Sequence, residues 1–146
     1  MPTYYCIAPA GLLDAAKKAA IAKEITRVHY EVTGAAGFFA QVIFTDVAKG
    51  NHFMGGVELK AEQVFVHGFI RAGRSLPDRR KLVTGFTDVL AKITGLPKKH
   101  LWAYVVEIPP RQMVEYGHVL PEPGDESDWI ASLPKEDRDY MQSMGS

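Results

Sequence analysis

The amino-acid sequence predicts an α/β fold in which duplicated β-α-β units form a four-stranded sheet with two helices on one face, followed by a C-terminal tail. Three observations predict it. Two stretches of helical period each stand between runs of β-branched and aromatic residues. Both helical stretches close on Thr-Gly, at Thr33-Gly34 and Thr94-Gly95. After Pro109 the chain is punctuated by proline and glycine, with only short amphipathic pieces.

Thr3–Ala8 (TYYCIA) has strand composition and is closed by Pro9 and Gly11. From Leu12 to Thr33 the period turns helical, with Ile21, Ile25, Val28 and Val32 on one face. Phe38–Val47 returns to strand composition, and the glycine-rich Ala48–Lys60 reads as a connection. Gln63–Arg71 is the next strand. Ser75, with Asp78 three places on and Pro77 between, opens the second helix as a capping box. Leu82, Phe86, Val89 or Leu90, and Ile93 mark its buried face, and Leu101–Ile108 is the last long strand. Parallel pairing within each unit follows from a strand-helix-strand order. The expected organisation is one domain, 1–146. It divides into a first unit at 3–47, a connection at 48–62, a second unit at 63–109 and an extension at 110–146. The extension is expected to wrap a neighbouring surface or cover a pocket.

With 146 residues, 47% of them hydrophobic, the chain can bury a real core, and a domain of this size is often completed by oligomerisation. Seventeen basic and seventeen acidic side chains cancel without runs, which argues against a nucleic-acid partner. No apolar stretch approaches the roughly 20 residues that span a bilayer, and the start lacks the pattern of a signal peptide. The lone Cys6 forms no internal disulfide and reads as a small buried side chain, so a cytoplasmic setting is expected.

The sharpest chemical signal is HGFIRAGRSLPD. Arg71 and Arg74 bracket a short turn feeding a helix N-terminus, where free amides and the helix dipole favour an anion. Two guanidinium forks strengthen that preference. In the absence of a Walker-type loop a carboxylate is the expected anion, with a pair of solvated arginines as the bland alternative. His29 follows Val28 and should lie at the rim of the core, where by position alone it reads as a structural histidine. The histidines do not fall into metal-ligand spacings, so neither metal nor cofactor is expected. Tyr104 shares a strand face with Trp102 and Val106. Glu115, between Val114 and Tyr116, is a lone carboxylate whose apolar neighbours could raise its pKa. Local context singles out neither residue. Pro2 reads either as a tolerated strand-opening proline or, after methionine removal, as a free secondary amine.

Taken together, MPTY, KEITRVH ending in His29, AQVIF, FVHG, RAGRS, the strand with Trp102 and Tyr104, and QMVEYG before LPEPG resemble the tautomerase superfamily. The likeness is greatest to its cis-3-chloroacrylic acid dehalogenase-like subgroup and covers nearly the whole chain. Ile70 departs from it, being apolar where the subgroup leads one to expect a polar side chain. The resemblance implies a tautomerase-like fold and assembly as a homotrimer. It implies that Pro2 is the catalytic amine, that Arg71 and Arg74 hold a small carboxylate substrate assisted by His29, and that Glu115 with Tyr104 activates water. The leading expectation is a hydratase that converts a cis-3-haloacrylate to malonate semialdehyde and halide. A keto–enol tautomerase of 2-oxo acids, using neutral Pro2 as base, is the second. A trimeric interaction protein without turnover is the third.

Overall fold

Residues 2–35 and 39–144 are described by a computed structural model. Its centre is β1 (Thr3–Pro9), where Tyr4, Cys6 and Ala8 point into the core while Thr3, Tyr5 and Ile7 face the other way. After Asp14, whose carboxylate accepts from the Lys17 amide at 2.8 Å, α1 runs through Ala15–Thr33. It therefore begins three residues later than the periodicity alone suggests. β2 (Gln41–Val47) pairs parallel to β1; Phe38, expected to open it, lies outside the described residues.

The glycine-rich connection is not featureless. Phe53–Met54 (β3) and Val57–Glu58 (β4) fold back as a hairpin around Gly55-Gly56. Then β5 (Val64–Arg71) pairs antiparallel to β1, and β6 (Leu101–Ile108) pairs parallel to β5. Between them α2 (Leu76–Thr94) starts at Ser75, whose hydroxyl accepts from the Asp78 amide at 3.2 Å as the capping box requires. Both long helices end on a left-handed glycine, Gly34 and Gly95, each donating back to the carbonyl four residues earlier. The sheet order is β2-β1-β5-β6. Each β-α-β unit thus contributes a parallel pair, and the units meet along the antiparallel β1–β5 seam.

The core lies between one sheet face and the two helices. Tyr4, Cys6, Val64, Val66 and Ile70 meet Ile21, Ile25, Leu82, Phe86 and Leu90 there. Phe86 sets its ring edge-on to Tyr4, centroids 4.8 Å apart. Tyr4 also fills the space over Gly68, where an added Cβ would lie 2.3 Å from its ring atoms. Burial pushes the Cys6 thiol up to about 12, in keeping with an inert packing role.

The opposite sheet face is left partly open by the described residues. His67 stacks between Tyr5 and Phe65, and Trp102, Tyr104 and Val106 are 40%, 53% and 50% exposed. Beyond β6 the extension is built of the short hairpin β7 (Val114–Glu115) and β8 (His118–Val119), then α3 (Glu126–Ser132) and α4 (Lys135–Ser143). It has its own small core, in which Phe39 and Leu120 meet Met113, Tyr116, Trp129 and Ile130. No helix among the described residues is long and apolar enough to cross a membrane.

Candidate active site

Pro2 precedes β1 in phase with Tyr4 and is fully buried; its carbonyl accepts from the Gln41 amide at 3.0 Å. Around it Ala35, His29, Ile70, Arg71 and Arg74 line a cavity of about 10 Å³, room for one water. The end of α1 supplies His29, and the end of β5 with its following turn supplies both arginines. Four of the six residues singled out in the sequence, Pro2, His29, Arg71 and Arg74, therefore share one cavity.

His29 is not at the rim as expected but 4% exposed. Its position on α1, opposite the start of β1, drives the ring into the core against Tyr4. Tyr4 Oη lies 2.7 Å from His29 Nδ1. Burial first, then the charge of Arg74, brings the imidazole pKa down to about 3, so the ring is neutral. Burial likewise raises the Tyr4 phenol far above its ordinary value. The phenol therefore keeps its proton; where it donates to Nδ1, the imidazole proton is on Nε2. His29 is thus a neutral ring set beside two cations.

The arginines are held differently. Arg74 Nη1 donates to the Thr33 carbonyl at 3.2 Å, at the negative end of α1. Burial, and then neighbouring Arg71, lower its pKa. Arg71 is 4% exposed and turned toward the extension. Its Nη1 donates to the Pro121 carbonyl at 3.0 Å, and its Nη2 pairs with the Glu126 carboxylate. Burial works to raise the Glu126 pKa, but the hydrogen bond from Arg71 and backbone amides, including that of Gly124 at 2.8 Å, leave it below the usual carboxylate value.

The expectation of free amides on the Arg71–Arg74 turn is corrected by the structure. The Gly73 and Arg74 amides both donate to Glu107 Oε1 at 3.1 Å, and Arg79 Nη1 donates to Glu107 Oε2 at 2.6 Å. An internal carboxylate already occupies the backbone part of the anion site, which leaves side chains as the binding groups.

Glu115 lies on β7, opposite His118, next to a tight turn at Tyr116-Gly117. It lines a second cavity of about 700 Å³ with Thr3, Tyr5, Gln41, Phe69, Ile108 and Met113. Pro2 and Thr3, adjacent in sequence, thus border the two cavities from opposite faces of the same strand end. Tyr104 borders neither. It lies on the partly open face, its ring 4.9 Å from that of Phe65, beside a third cavity shared with Ile7, Phe53 and Trp102. Within one chain the register sets it level with His67 and, one strand further, with Tyr5 of β1.

Sequence reasoning passed over Tyr4, Glu107 and Glu126. The first two were signalled by strand phase. Tyr4 alternates with Cys6 and Ala8, so a phenol on the core face needs a partner. Glu107 is out of phase with Trp102, Tyr104 and Val106, which places its carboxylate on the helix side. Glu126 left no such trace, since its partner is 55 residues away.

A family model, Tautomerase_3, described as "Putative oxalocrotonate tautomerase enzyme", matches residues 1–132. Among solved structures, N1, a member of the cis-3-chloroacrylic acid dehalogenase (cis-CaaD) family, superposes with a TM-score of 0.92 at 37% identity, over 97% of this chain and 99% of its own. Native Ps01740 superposes at 0.73 and 30% identity, over 77% of this chain and 99% of its own. A fused 4-OT wild type symmetric trimer shares the fold at 0.74 with 19% identity, over 81% and 94% of the two chains. Among curated proteins no sequence match was found.

Proposed function

The chain belongs to the tautomerase superfamily, within the cis-3-chloroacrylic acid dehalogenase-like subgroup, and on that premise we propose that it is a cofactor-independent hydratase of small unsaturated carboxylates. The model reaction takes a cis-3-haloacrylate and one water to malonate semialdehyde and hydrogen halide. The observation that carries this reading is the shared cavity of Pro2, His29, Arg71 and Arg74, with Glu115 across the same strand end.

After removal of Met1, the Pro2 nitrogen is a secondary amine and, protonated, a general acid. The substrate enters by the larger cavity and turns its carboxylate toward the arginines, with His29 Nε2–H as a further donor. Drawing electron density onto the carboxylate makes the β-carbon electrophilic. Glu115 takes a proton from water as the oxygen bonds to that carbon, and the prolinium delivers its proton to the α-carbon. The resulting halohydrin expels halide as its hydroxyl proton leaves and the aldehyde forms. Tyr104 joins Glu115 from a neighbouring copy in a homotrimer, assembled through the partly open aromatic face; an apolar surface of that kind favours association.

Chloride release from cis- and trans-3-chloroacrylate by the native protein and by Pro2→Ala tests the proposal. Release from the cis isomer that requires Pro2 is expected; equal rates in the two proteins would sink it. Arg74 favours a second reading, because a cation on the same cavity lowers the amine pKa and promotes a neutral, basic Pro2. In that case phenylpyruvate ketonisation outruns hydration, and the enzyme is a keto–enol tautomerase of 2-oxo acids.

A further inference from the structure

The strap formed by residues 121–126 crosses the turn that carries both arginines. Pro121 and Glu126 engage Arg71. Between them Pro123 sits against Gly73, where an added Cβ would fall 2.9 Å from its ring. Glu126 is held in place by the Gly124 amide. The strap therefore delivers one negative charge to a particular guanidinium. The other charges can be counted. His29 is neutral, and Glu107 is spent on Arg79 and the turn amides. Asp78, further out, is bound to the Ser75 hydroxyl. Arg71 and Arg74 bring two positive charges and Glu126 takes one away, so the guanidinium pair presents a net single charge to a ligand, beside the Pro2 ammonium and the more distant Asp78.

We propose that Glu126 is a specificity-determining residue that limits this site to monocarboxylates by spending the Arg71 charge. The inference rests on the carboxylate-site reading above and deepens it. A dicarboxylate would bring a second negative charge into a water-poor cavity with no guanidinium left to meet it, only the Pro2 ammonium that is committed to the α-carbon, and would be disfavoured for that reason. Removing the Glu126 charge restores the missing cation without adding any contact.

The test is a binding one, independent of turnover, on the full chain with its mature terminus. Dissociation constants for propionate and malonate are measured by NMR titration at constant ionic strength. The native protein is expected to prefer propionate. In Glu126→Gln, malonate should gain on propionate by on the order of tenfold, the scale of one close charge in a partly buried site. Glu126→Asp should keep the native order. Arg71→Met/Glu126→Met removes the pair but preserves net charge, and a buried ion pair often yields to apolar residues without loss of fold. It too should keep the native order, and it serves if Glu126→Gln does not fold. An unchanged malonate-to-propionate ratio in Glu126→Gln, or a malonate preference in the double variant, overturns the role given to Glu126. Failure of both acids to bind any of these proteins overturns the carboxylate-site reading itself, and this inference with it.

Discussion

Acidification from pH 7 to pH 5 is expected to cost the fold about 2 kcal/mol through His29 alone. Its folded pKa, held down to about 3 by burial and by Arg74, lies well below the roughly 6.5 of an unfolded chain. Between those values the unfolded state binds a proton that the folded state refuses. The stabilisation is therefore complete above the unfolded pKa and drains away as the pH falls toward the folded one. The slope approaches about 1.4 kcal/mol per pH unit, and most of the interval from 6.5 to 5 is traversed at that slope. With an unfolding entropy of about 2.1 cal/mol/K per residue, the same loss lowers Tm by about 6 °C for a chain of this size. Thermal and urea unfolding followed by circular dichroism at pH 7, 6 and 5, for the native protein and His29→Gln, would measure it at one fixed protein concentration. Glutamine cannot titrate, yet its carbonyl can accept from Tyr4. Groups remote from position 29 are common to both proteins and cancel. The stability gap should narrow by about 2 kcal/mol on acidification. Parallel decline of the two proteins would refute the buried neutral imidazole.

Two further outcomes follow from packing and from the turn. Gly68→Ala places a methyl group 2.3 Å from the Tyr4 ring, which Phe86 and His29 hold from other sides, so a loss of about 1–3 kcal/mol in urea unfolding is expected; an unchanged midpoint would show that the ring can yield. Glu107→Gln removes the charge that the Gly73 and Arg74 amides and Arg79 share, so hydrogen exchange at those two amides should accelerate while β1 amides stay protected. Equal protection in the variant would contradict that account.

The long elements were legible because their signals are local. The spacing of Ile21, Ile25 and Val28, the capping of the Asp78 amide by Ser75, and the two terminal glycines each act within a few residues, and the structure places them as read. The small hairpins were not, since β3 and β4 are two residues each and carry no period. At the site, the residue pattern singled out Arg71 and Arg74, and the family resemblance added Pro2 and His29; the fold then gathers all four. The sequence could not show which donors were already engaged. Whether an amide on the Arg71–Arg74 turn is free depends on Glu107, over thirty residues downstream. Whether Arg71 is unaccompanied depends on Glu126, a residue brought back by the extension.

The seam between the two strand-helix-strand halves has a last consequence. Pro2 stands before β1 and Gln63 before β5, the strands that open the two halves, and both are buried. Yet the backbone nitrogen of Gln63 is permanently acylated by Glu62, whereas the nitrogen of Pro2 can be bared by a single peptide cleavage. Of the two strand-opening residues only Pro2 can become a chain end, so a duplicated body of this kind can carry one such amine and no second.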